Sequence, residues 1–162
     1  MDDSQYPILK AALLADTDPD VQAAVSARND TEIARLYNLD SSFIVFKKWV
    51  ELKDVGEAVN YVAVEAMTDA NRGRITTFYT MNPSGFSPSR SDMRDYWANT
   101  FSGALGGQGA NTRAALEALW RRPATRAEAV FATGTGTTAN PGELVFEGTI
   151  TINDVGKALN LS

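Results

Sequence analysis

The chain has no cysteine and no histidine. The first absence excludes disulfides, thiolate nucleophiles and cysteine-held zinc or iron–sulfur sites. The second removes the commonest metal ligand and the usual general base near neutral pH. Long apolar runs are also missing: the longest, such as 11–15 and 43–46, are far too short to span a bilayer. The acidic start, Met1-Asp2-Asp3-Ser4, is unlike the basic start of a secretory signal. We therefore expect a soluble chain that carries no targeting signal. What remains is 162 residues, 44% hydrophobic and 22% charged, with a formal charge of −5. That suits one compact domain of ordinary globular composition.

The charge is unevenly spread. Residues 1–69 carry 6 basic and 13 acidic side chains, whereas residues 70–126 carry 8 arginines against Asp92, Asp95 and Glu117. Three readings stay open: a solvated surface, a positive segment that meets a negative face on a neighbouring copy, or arginines near DNA. The acidic total argues against an independent nucleic-acid binder, because phosphate neutralisation needs a net basic face. Nonspecific proximity to DNA remains open.

Helical spacing predicts a helix over 6–15, with Ile8, Leu9, Ala12 and Leu13 on one face. Thr17-Asp18-Pro19-Asp20 is a helix start, and a second helix should run over 19–27. Asn29-Asp30-Thr31-Glu32 starts a third, ending near Asn38. A strand is expected over 43–52 and a short helix or turn over 54–59, while 61–66 reads both ways. Thr68-Asp69 opens a helix to about Tyr79. Residues 82–88 form a loop, Ser89 or Ser91 caps a helix over 92–101, and 102–109 form a second loop with four glycines. Asn111-Thr112 starts a helix through Trp120, with Ala115, Leu116 and Leu119 facing inward. Thr125-Arg126-Ala127-Glu128 fits a capping box. A Gly/Thr loop over 133–142, a strand over 143–152 and a short helix over 154–159 complete the chain.

The expected fold is α+β: a mostly helical single domain, with a small antiparallel sheet formed by strands near 43–52 and 143–152. Residues 1–40 make a helical N-terminal part, and 68–132 a helical middle with long loops. Residues 41–60 and 143–162 echo one another: residues 54–60 read D-V-G-E-A-V-N and residues 154–160 read D-V-G-K-A-L-N. Each copy reads as a strand followed by the same short helix, which predicts that the two strands pair.

The catalytic and binding motifs fail on their spacing. Asp16–Asp20 imitates an EF-hand start, but Val21 stands where the glycine belongs and Ala27 where the closing glutamate belongs. The glycines at 103–109 lack a following Gly-Lys-Ser/Thr. Gly107-Gln108-Gly109 and Gly134-Thr135-Gly136 lack the strand–turn–helix context of a dinucleotide site. The carboxylate pairs Asp92/Asp95 and Glu143/Glu147 read as solvated faces. No cofactor, metal or catalytic residue is assigned. A divalent-metal hydrolase built on Asp and Glu is the one enzymatic chemistry this inventory easily permits.

The stretch T-R-A-E-A-V-F-A-T-G-T-G-T-T-A-N-P, followed by L-V-F-E-G-T-I-T-I-N-D-V, resembles a family of small proteins encoded in tailed-bacteriophage structural-gene clusters. The opening L-K-A-A-L-L-A-D and I-A-R-L-Y-N are similar too. The resemblance covers about two-thirds of the chain and is poor over 61–109. It implies a phage origin and a place in the virion, with synthesis in the host cytoplasm, and it carries over no catalytic residues.

The resulting expectation is a noncatalytic virion structural protein, a subunit of the head–tail connector or neck. It would form a homo-oligomeric ring or lattice and pack against portal, tail or capsid protein, without a membrane. Alternatives are a capsid-surface or tail-tip component, or an assembly factor absent from the virion. Interfaces favour aromatics and arginines, so Phe86, Arg90, Arg94, Tyr96 and Trp97 are the candidate contacts. The loops at 82–88, 102–109 and 133–142 are expected to be ordered by a partner.

Overall fold

A computed structural model describes residues 1–101 and 106–161. In chain order, the first elements are α1 (Gln5–Ala15), α2 (Pro19–Ser26), α3 (Asp30–Tyr37), β1 (Asp40–Phe46), β2 (Val50–Glu51), α4 (Leu52–Ala58) and α5 (Tyr61–Glu65). There follow α6 (Asp69–Met81), β3 (Gly85–Phe86), α7 (Ser91–Thr100), α8 (Gly106–Leu119), β4 (Arg121–Thr125), α9 (Arg126–Phe131) and α10 (Ile152–Leu159). The fold is mostly helical α+β, with two small two-stranded sheets among the described residues. The chain divides into two compact units: Met1–Val45 with Pro123–Ser162, and Phe46–Arg122.

The first unit is a helical body around Leu9, Leu13, Val21, Ile33, Tyr37 and Val155. Its helix starts follow local chemistry. The Asp18 carboxylate accepts from the Asp20 N–H and Asn29 accepts from the Glu32 N–H. Thr125–Glu128 and Thr151–Asp154 form reciprocal capping boxes. Burial opposes the charge on Asp154, but the Thr151 hydroxyl, the Thr151 N–H and the Tyr6 hydroxyl hold its carboxyl below the usual range.

The expected strand over 143–152 does not form. Gly142 and Glu143 make only isolated bridges, to Val45 and Thr133. Beyond them the backbone is held by side chains. The Asn38 carboxamide donates to the Ile150 carbonyl and accepts from the Ile150 N–H, both at 2.9 Å. The Glu128 carboxylate accepts from the Gly148 N–H at 3.0 Å. The partner of β1 is instead β4, where Pro123 sits inside a strand rather than merely ending a helix. β1 is bonded to β4 and, through Ile44, to Gly136 and Gly142, so it offers no ladder to 144–151, where a carboxamide and a carboxylate supply partners.

The loop at 133–142 is hydrogen-bonded to its own chain. The Ile44 N–H donates to the Gly136 carbonyl at 2.7 Å, and the Gly142 N–H donates to the Ile44 carbonyl at 2.8 Å. Gly136 adopts a φ of 64°, and a Cβ there would lie 2.2 Å from the Phe43 ring. A glycine is required on both counts.

The second unit is built on aromatics. Trp97 packs edge-on to Phe78 at 4.7 Å and stacks on Phe101 at 6.0 Å, and Phe86 meets Phe78 at 5.1 Å and Trp120 at 6.1 Å. Edge-to-face pairs of this kind add about 0.5–1.5 kcal/mol beyond burial. The strand expected over 43–52 is broken: β1 ends at Phe46, and Val50–Glu51 pairs antiparallel with Gly85–Phe86, inside the expected 82–88 loop. Residues 61–66 resolve into α5, whose Asn60 cap accepts from the Val62 and Ala63 N–H groups. Neither Ser89 nor Ser91 caps α7; Arg90 occupies the cap position without a side-chain bond. Helix α8 starts at Gly106, inside the expected loop, while 102–105 lie outside the described residues. Thr112 is therefore within α8 rather than at its start, where its buried hydroxyl accepts from the Asn60 N–H. Ala115 is exposed rather than inward-facing.

The sequence echo survives as helices, not as paired strands. Val55 and Val59 of α4 and its end lie in the second unit's core, and Val155 and Leu159 of α10 lie in the first unit's core. The two copies serve separate cores.

Candidate interaction surfaces

Two of the five candidate contacts are core residues. Trp97 is fully buried and Phe86 nearly so; their aromaticity serves packing within the second unit, and neither can meet a partner in this conformation. Tyr96 is half-buried, and its hydroxyl donates to the Arg74 carbonyl at 2.5 Å. Arg94 lies 3.9 Å over the Phe46 ring and donates to the Pro88 and Ser89 carbonyls, both at 2.7 Å. It braces the turn before α7. Arg90 is exposed and pairs with Asp92 at 2.5 Å, which raises the guanidinium pKa and lowers that of the carboxyl.

Three other arginines of the middle segment are also engaged. Arg72 pairs with Asp69 and donates to the Glu65 carbonyl, Arg121 pairs with Glu117, and Arg113 donates to the Phe101 carbonyl. These pairings take up part of the positive charge that phosphate neutralisation would draw on.

A polar hub that spacing did not reveal lies in the first unit. Arg126 donates to Asp18 at 2.7 Å and to both Asp16 oxygens at 3.0 and 3.1 Å. The Tyr37 hydroxyl donates to Asp16 at 2.8 Å. Burial, followed by the Asp16 carboxylate, pushes the Tyr37 hydroxyl far up; the Arg126 guanidinium holds Asp18 below the usual carboxylate range. These acids, which imitate a calcium loop in sequence, tie α1 and α2 to the start of α9. Among the described residues, no group of three or more acidic side chains is placed to hold a metal ion.

Two surfaces combine apolar exposure with charge. The first is α1. Its inner face buries Tyr6, Leu9 and Leu13, yet its outer face carries Pro7, Ile8, Ala11, Leu14 and Ala15, with Leu14 62% exposed. A helix apolar on every side is expected to be covered on every side. Its one charged residue, Lys10, donates to the Leu161 carbonyl. The visible signal is that single charge in eleven residues of Gln5–Ala15. The second surface is Trp49, 53% exposed between Lys48 and the buried Val50. Its indole lies against Gly85, whose φ is 141° and whose added Cβ would sit 3.0 Å from the ring and 2.2 Å from the Val50 carbonyl oxygen. Only glycine allows this close approach of the ring and the backbone.

The second unit also has an apolar groove of about 450 Å³ between α5 and α6, with Val59, Val64, Ile75 and Tyr79 in its walls and Tyr61 exposed at its edge. No helix among the described residues is long and apolar enough to cross a membrane. In comparisons with known proteins, the chain matches no family model, no curated protein and no solved structure.

Proposed function

We propose that this chain is a noncatalytic structural subunit of a tailed-bacteriophage particle, placed at the head–tail connector or neck and acting by packing against copies of itself and against portal, tail or capsid protein. The observation that carries this reading is the uncovered apolar face of α1, a helix whose composition calls for burial on both sides. The exposed Trp49 adds to it, because tryptophan is the residue type most enriched at interface hot spots. The resemblance over 125–155 to phage structural-cluster proteins supports the biological setting. The lack of histidine and cysteine supports a role in fitting rather than in chemistry.

The deciding experiment is the copy number and position of the chain in purified particles of the phage that encodes it, by quantitative mass spectrometry and particle imaging. A fixed small number of copies at one vertex is expected. Copies spread over the capsid would move the role to the shell surface. Absence from intact particles would overturn the virion assignment.

A further inference from the structure

We draw no further inference here: the strongest candidate, the exposed apolar face of α1 around Ile8, Ala11 and Leu14, is a surface patch for which nothing in the structure shows what covers it.

Discussion

Replacing Asn38 should uncouple residues 147–151 from the first unit. The Asn38 side chain stands in for an antiparallel neighbour by exchanging two hydrogen bonds with Ile150, which is itself 2% exposed. Asn38→Ala leaves a buried N–H and a buried C=O without partners. Each orphaned group costs about 1–3 kcal/mol, so a loss of roughly 2–4 kcal/mol is expected, well above the ~0.5 kcal/mol of an ordinary surface change. Asn38→Asp is the sharper probe. When ionised, the introduced carboxylate can accept from the Ile150 N–H but cannot donate to the Ile150 carbonyl, and its charge faces that oxygen. Its folded-state pKa must therefore rise above the unfolded value. The variant should regain stability as pH falls through that raised pKa and lose it as pH rises, whereas Asn38→Ala shows no such recovery. All three tryptophans lie in the other unit, so far-UV circular dichroism in urea and hydrogen exchange at the Ile150 amide are the suitable readouts. If both variants unfold within ~0.5 kcal/mol of wild type and Ile150 exchange is unchanged, the side-chain ladder does not stabilise this segment.

Three further outcomes are expected. Arg126→Ala should destabilise the first unit by roughly 2–3 kcal/mol in denaturant titrations, less than a fully buried pair because the side chains keep some solvent contact. The folded pKa of Asp18 is depressed by Arg126, so this contribution is complete above the ordinary aspartate value and fades as pH falls through the folded one; acid melts of Arg126→Ala should show a correspondingly weaker pH dependence. Gly85→Ala should lower the melting temperature followed by tryptophan fluorescence, because a Cβ at 2.2 Å from the Val50 carbonyl cannot be accommodated without moving β2. Trp97→Ala should cost about 3–5 kcal/mol, while Trp97→Phe should cost far less than lost area suggests, because the Trp97 indole N–H is buried without an acceptor among the described residues and its removal relieves a penalty.

Local signals were legible where one turn of chain supplies both partners. Asp18, Asn29, Thr68 and the Thr125–Glu128 box all cap the helices that their spacing predicts. Reading failed where the partner lies far along the chain. Alternation over 143–152 suggests a strand, but nothing local reveals that Asn38 and Glu128 would take the backbone groups. Aromatic identity marks Trp97 and Trp49 alike; only the packed structure separates a buried core ring from one lying exposed on a glycine. The charge asymmetry was visible in the residues, yet its boundaries at Phe46 and Arg122 emerge only from the contacts.

Because β1 and β4 are hydrogen-bonded neighbours, the excursion from Phe46 to Arg122 departs and returns at one place; the Lys47 N–H reaches the Trp120 carbonyl at 2.8 Å. A guest segment whose ends already touch can be gained, lost or exchanged with only a short splice, since closing its loop demands little extra entropy. Related chains are expected to differ most by wholesale replacement between those two neighbouring strands.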